Sequence, residues 1–192
     1  MSHPQIILAS TSSYRAGMLA RLGLPFTQVA PDTDETPRPD ETAGAVAARL
    51  AEGKARQVAV KHPGCYIIGG DQVAECNEAL LGKPGTLENA REQLRLLSGN
   101  TVRFHSALCV IGPDGEIHAG IDVTEVRFRQ LQDEEIRHYL EREPALDCAG
   151  SFKSEGLGIS LVSRIRSDDP TGLIGLPLVL LCELLRKAGL SI

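Results

Sequence analysis

No apolar stretch in this sequence approaches the ~20 residues that a membrane helix needs. The densest run, Leu173 to Leu185, is broken by Gly175, Pro177 and Glu183. No signal peptide is expected either, because Ser2 to Gln5 lead straight into a short strand-like run and then a polar loop. Basic clusters of the kind that grip a nucleic-acid backbone are absent, and 20 Lys and Arg against 25 Asp and Glu leave a net charge of −5. Neither nucleic acid nor membrane is therefore expected as a partner, although a few local cations can still serve a small phosphorylated substrate. The five cysteines, at 65, 76, 109, 148 and 182, are scattered and form no C-x-x-C pair. Reduced thiols in a cytoplasmic protein are the simplest account of them. The histidines at 3, 62, 105, 118 and 138 lack zinc-ligand spacing. Without G-x-x-x-x-G-K-[ST] or G-x-S-x-G, a P-loop NTPase and a serine hydrolase are disfavoured. There is no internal repeat and no low-complexity linker.

What is present is a soluble, globular composition, 42% apolar and 23% charged. Its 192 residues suffice for one sizeable core or two closely packed lobes. Strand and helix signals alternate, which predicts an α/β fold. Gln5 to Ala9 reads as a buried strand, and Ser13 to Leu22 as a helix stopped by Gly23. Asp32 to Glu41 is an acidic loop with prolines, and Ala43 to Val60 a second helix with Val46, Ala47 and Leu50 inward. Cys65 to Ile68 reads as a short buried strand ending at Gly69-Gly70-Asp71-Gln72. A helix capped by Thr86 runs to about Leu97, followed by a hairpin of Val102 to Ile111 and Ile117 to Phe128. Asp133 to Arg142 is an exposed helix, Gly150 to Gly158 a loop, Ile159 to Val162 a short strand, and Pro177 to Lys187 the last helix.

Chemistry concentrates at a few points. The strand Gln5 to Ala9 stops at four hydroxyl residues, Ser10 to Ser13, and Arg15 follows at once. Helix N-terminal N–H groups, hydroxyls and a guanidinium together attract a phosphate. Ser12 or Ser13 acting only as a helix cap is an equally good account of the segment alone. Asp71, after two glycines at the end of an apolar strand, stands where α/β sheets place their sites. As an isolated tetrapeptide it reads better as a turn aspartate. Lys83, between Gly82 and Pro84, is a placed point charge or a solvated lysine. Lys54 by itself reads as an ordinary surface lysine. Glu35, in Asp32-Thr33-Asp34-Glu35-Thr36, belongs to a loop that could bind a divalent metal or could simply be polar. Cys148 lacks the arginine cradle of a thiol phosphatase and reads as a small buried hydrophobe.

Taken in order, these segments resemble the Maf proteins, nucleoside triphosphate pyrophosphatases with an inosine-triphosphatase-like fold. The resemblance covers Leu8-Ala-Ser-Thr-Ser-Ser-Tyr-Arg15, Asp34-Glu35, Arg49-Leu-Ala-Glu-Gly-Lys54-Ala55, Gly70-Asp71-Gln72-Val73 and Gly82-Lys83-Pro84. It continues through Leu97-Ser98-Gly99, Ala149-Gly-Ser-Phe-Lys-Ser-Glu-Gly156 and Gly175-Leu-Pro-Leu178. It implies one domain over 1–192, a mixed elongated sheet flanked by helices with a cleft between two lobes and no separable linker. It also implies that Asp71 is the proton acceptor, that Arg15, Lys54 and Lys83 hold the triphosphate, and that Ser10 and Ser12 line the phosphate end. Glu35, with Asp71, would hold a divalent metal (Mg, Mn or Co). A homodimer is the default among oligomers.

Within the family, the thymidine/uridine branch has threonine at the place of Gln72, glutamine at that of Glu155 and a basic residue at that of Tyr14. A histidine often follows its helix-end motif where Val102 stands. These departures match the branch that resembles 7-methyl-GTP pyrophosphatase, which implies housecleaning of modified nucleotides. A dTTP, UTP or broad NTP pyrophosphatase is the alternative, and a nucleotide-binding regulator of septum formation without turnover is another. The Glu155 carboxylate offers two acceptors for guanine N1–H and its 2-amino group. Methylation at N7 makes the base cationic, which favours a carboxylate and an aromatic face such as Tyr14 or Phe152.

Overall fold

The computed structural model describes residues 5–192. These form β1 (Ile6–Ala9), α1 (Ser13–Ala20), β2 (Phe26–Gln28), α2 (Ala43–Ala59), β3 (Tyr66–Cys76), β4 (Ala79–Leu81) and α3 (Leu87–Leu97). The chain continues with β5 (Thr101–Ile111), β6 (Ile117–Phe128), α4 (Asp133–Arg142), β7 (Val162–Arg166) and α5 (Leu178–Lys187). The strands make one sheet in the order β2-β1-β3-β5-β6-β7, with β4 paired to β3. β1 is parallel to both β2 and β3, whereas β4 on β3 and β7 on β6 are antiparallel. The expected α/β class, with a mixed sheet and helices, is what the chain adopts.

The chain groups into two compact units. One comprises the described residues up to Asp71, Ser106–Asp122 and Asp169–Ile192, and the other Gln72–His105 and Val123–Asp168. In the first unit β1 is buried along its whole length, as a strand with parallel neighbours on both sides should be. Ile6, Leu8, Ile68, Leu108 and Val110 pack with Leu19 of α1 and with Leu178, Leu181, Leu184 and Leu185 of α5. The α5 leucines recur at helical spacing and make one apolar stripe. Asp169 caps that helix, its Oδ2 accepting from Val179 N at 2.6 Å and Leu180 N at 3.4 Å. In the second unit Phe152 packs against Phe128 and Phe104, with ring centroids 5.1 and 6.0 Å apart.

Three features depart from the sequence expectations. β3 does not stop at Gly69 but runs through Gly69-Gly70-Asp71-Gln72 to Cys76. Pairing supplies what the glycines lack, since Ala9 lies opposite Gly69 and β4 carries the strand onward from Ala74. Leu157–Leu161 is a 3-10 turn rather than a strand, and the strand begins only at Val162, where β6 offers a ladder. Two three-residue strands, β2 and β4, carry no sequence periodicity to read and owe their existence to their neighbours.

Candidate functional site

Val46, Leu50, Lys54 and Val58 fall four apart along α2, and all are buried. That stripe faces the core, so an ammonium in it must find an opposite charge. Lys54 Nζ lies 2.6 Å from Asp71 Oδ1 and 2.6 Å from Glu35 Oε1. The reading of Lys54 as a surface lysine is therefore corrected: its periodic position on the apolar face outweighs its residue type. Alternation along β3 points Gly69 and Asp71 to the same face. A Cβ on Gly69 would strike the Ala51 carbonyl and stand 2.9 Å from Ala55 Cβ. The bare glycine thus lets α2 lie against β3, which brings Lys54 to Asp71. Asp71 is consequently a strand residue, 8% exposed, and not a turn aspartate. Glu35 enters from the loop before α2, and its side chain is 60% exposed.

At the end of β1 the hydroxyl segment does two jobs. Ser12 is the N-cap of α1, its Oγ accepting from Arg15 N at 3.3 Å. Ser10 is buried, and its Oγ accepts from Ser12 N at 3.1 Å and from Arg15 Nη1 at 3.4 Å. Gln28 of β2 donates to Ser10 O at 3.0 Å and braces the segment. Arg15 Nε donates to the Gly175 carbonyl at 3.1 Å. Gly175 has φ of 112°, a left-handed conformation that suits glycine. Burial pulls the Arg15 guanidinium below its ordinary pKa, and the Asp71 and Glu35 charges partly restore it. It remains a cation. Tyr14, the second residue of α1, is half-buried.

In the second unit, Lys83 is exposed on the loop between β4 and α3. Side chains of α3 fix that loop: Asn89 Nδ2 donates to Pro84 O at 2.9 Å, and Gln93 Nε2 to Gly82 O at 3.2 Å. Glu155 is also exposed, with Ser154 Oγ at 3.4 Å from its Oε2. Its loop is tied to α4, since Lys153 N donates to Tyr139 Oη at 3.2 Å and Lys153 Nζ lies 3.5 Å from Glu143. Gln72 follows Asp71 on β3, and alternation turns it to the opposite face. Phe152 is corrected as a base-stacking candidate, because its ring is buried against Phe104 and Phe128. Cys148 is half-buried rather than buried, in the turn leading to Ala149, its Sγ 3.6 Å from Asp147 Oδ1.

Sequence reasoning passed over three contributors. The Gly175 carbonyl is one, although its tetrapeptide was among the motifs noted. Arg49 and Glu41 are the others: Arg49 Nε to Oε1 is 2.6 Å and Nη2 to Oε2 is 2.7 Å. Hydrogen bonds from Arg49 and from the Arg38 amide hold the Glu41 carboxyl down from 4.5 to about 2. Arg49 opens the segment Arg49-Leu-Ala-Glu-Gly-Lys54-Ala55, so its position is a signal that the sequence carries.

Among the described residues no group of three or more His, Cys, Asp and Glu is placed to hold a metal ion. Two carboxylates nevertheless converge on one cation, the Lys54 ammonium, which shows that both reach a single positive charge. Hard oxygen donors in that number suit a magnesium-like ion, which takes its other ligands from phosphates and water. Thr33 Oγ1, two residues before Glu35, is buried with no hydrogen-bond partner.

A buried carboxylate–ammonium pair and an arginine–hydroxyl turn thus sit on one α/β sheet. The chain belongs to the Maf-like protein family, whose pattern it matches over residues 5–188. It is 56% identical to a protein of Xanthomonas axonopodis pv. citri named 7-methyl-GTP pyrophosphatase, over 98% of this chain and 99% of that one. A protein of the same name from Nitrosococcus oceani is 52% identical over 97% of this chain and 94% of its own. Among solved structures, a Mycobacterium abscessus nucleoside-triphosphatase / dITP/XTP pyrophosphatase covers 66% of this chain and 75% of its own. That likeness, at 20% identity and a TM-score of 0.45, is too slight to carry anything across.

Proposed function

We propose that the protein hydrolyses 7-methyl-GTP to 7-methyl-GMP and pyrophosphate, clearing a modified nucleotide. The observation that carries the reading is the Asp71 carboxylate held by buried Lys54, in a chain whose full-length relatives bear that activity in their names. The reaction needs an activated water and charge neutralisation, with little covalent chemistry from the protein.

In this reading Asp71 accepts the proton of the attacking water. Arg15, Lys54 and Lys83 stabilise charge on the triphosphate and the departing pyrophosphate. Lys54 has three N–H donors and spends two on carboxylates, which leaves one for a phosphate oxygen. Ser10 and Ser12, with the first turn of α1, receive the phosphate end. A divalent cation (Mg, Mn or Co) would be held by Glu35 and Asp71, and when bound it supplies charge neutralisation and a more acidic water. Glu155 accepts from guanine N1–H and the 2-amino group, and the Tyr14 ring favours a base made cationic by its N7 methyl. Gln72 completes the set of residues that discriminate the base.

The test is pyrophosphate release by the purified protein with Mg²⁺ or Mn²⁺ from 7-methyl-GTP, GTP, dTTP and UTP. The expected result is fastest release from 7-methyl-GTP. Faster release from dTTP or UTP would replace the substrate, and tight binding without release from any of them would replace the enzyme by a nucleotide-binding regulator.

A further inference from the structure

The loop carrying Glu35 has no helix or strand of its own between β2 and α2, and the Glu35 side chain is mostly open to solvent. The Lys54–Glu35 pair ties it at one side chain, and further contacts with α2 tie its main chain. Arg49, Gly53 and Gln57 lie four apart on α2 and form a single stripe. All three meet this loop. Gln57 exchanges two hydrogen bonds with the main chain of Asp32, each 2.5 Å. A Cβ on Gly53 would sit 3.4 Å from Thr33 Cγ2, so the helix and the loop are in close approach there. Arg49 grips the far end, donating to Thr36 O at 3.1 Å and forking onto both oxygens of Glu41. Glu35 lies between the two anchors.

We infer that Arg49 and Gln57 are positioning residues that strap the acidic loop to α2, so that the Glu35 carboxylate is held beside Asp71 where the two can share one divalent cation. The inference rests on the proposed metal role of Glu35 and Asp71. The geometry argues against an idle surface pair. The Arg49 and Glu41 side chains are only 22% and 15% exposed, and the contact is bidentate, which lysine could not reproduce. The same helix supplies Lys54, so α2 carries both the loop's anchors and the ammonium that meets both carboxylates. Arg49 also lowers the entropy of a loop that buries little apolar surface of its own.

The experiment measures Mn²⁺ binding to the nucleotide-free protein, by the loss of the free-ion electron-paramagnetic signal, together with kcat and KM. Arg49→Gln should weaken Mn²⁺ binding on the order of 10-fold, the usual effect of losing a group that orients a metal ligand. It should lower kcat more than it changes KM, and amide exchange over residues 32–41 should quicken while that of α2 is kept. Arg49→Lys should recover part of the loss. Should Arg49→Gln fail to fold, Gln57→Ala loosens the other anchor and should move Mn²⁺ binding in the same direction. Wild-type affinity in Arg49→Gln, alongside weakened binding in Glu35→Gln, would overturn the strap and leave the metal role standing. No Mn²⁺ binding by the wild type, or none lost in Glu35→Gln, would overturn the metal role itself and the strap with it.

Discussion

Lys54 Nζ and Asp71 Oδ1 stand 2.6 Å apart, with side chains only 7% and 11% exposed. Removing one partner of such a pair leaves a charge uncompensated in the interior, at a cost of about 3–5 kcal/mol. Lys54→Ala should therefore lower Tm by on the order of 10 °C in calorimetry, at roughly 2–4 °C per kcal/mol for a chain of this size.

Asp71→Asn is expected to behave differently. The amide keeps the shape, and Lys54 retains Glu35 as counter-charge. Stability should fall much less than in Lys54→Ala, whereas turnover should drop by about 10²–10⁴, the usual worth of a general base. Wild-type pyrophosphate release from Asp71→Asn would remove Asp71 from that role.

Gly69 and Gly70 are adjacent but unequal. A methyl at Gly69 meets main-chain atoms of α2, which can move only if the helix moves. At Gly70 the nearest atom is a flexible one, Leu108 Cδ2 at 3.2 Å. Gly69→Ala should cost at least the 1–3 kcal/mol typical of overpacking and should impair turnover by separating Lys54 from Asp71. Gly70→Ala should be the milder of the two in both melting and kinetic assays.

Arg15 is oriented by two acceptors, Gly175 O at 3.1 Å and Ser10 Oγ at 3.4 Å. A lysine has no planar fork with which to meet both. Arg15→Lys should raise KM for the triphosphate by about tenfold, roughly one charge-assisted hydrogen bond, and Ser10→Ala by less. Equal KM values for Arg15→Lys and wild type would show that the guanidinium does not touch substrate.

Glu41 has a folded-state pKa of about 2 against an ordinary 4.5. A depressed acid contributes stability above its unfolded pKa and loses it as pH falls through the folded one. The Arg49–Glu41 grip on the loop should therefore weaken between about pH 4.5 and 2, not above. A carboxyl NMR titration should place the Glu41 midpoint near 2, and Arg49→Gln should move it upward.

In the proposed reading, where Glu155 meets guanine, Glu155→Gln replaces one of two acceptors by a donor. Selectivity for 7-methyl-GTP over UTP should fall, as read from the ratio of kcat/KM values. An unchanged ratio would sink the assignment of Glu155 to the base.

The longer elements could be read directly from the chain. α2 announces itself by apolar spacing, α5 by the proline at its start and the glycine after its end, α1 and α3 by their serine and threonine caps, and the β5–β6 hairpin by its Pro-Asp-Gly turn. The order of motifs also fixed the family, because each short segment is weak alone and their spacing is not. The burial of Lys54 was legible only from the spacing of its helical stripe. Residue type says surface, and only its neighbours there say otherwise. The length of β3 was beyond such a reading, since a Gly-Gly-Asp-Gln run continues as a strand only when a ladder on either side holds it.

The sequence by itself determined the α/β alternation, the supply of the candidate acids and cations, and membership of a family, because these depend on composition and local order. Only the tertiary structure decided which charges meet. Lys54 and Asp71 are 17 residues apart and Glu35 lies 19 before Lys54, and the three come together because Gly69 lets α2 lie on β3 and because α2 carries the acidic loop. Long-range proximity of this kind follows from packing, which no local pattern encodes.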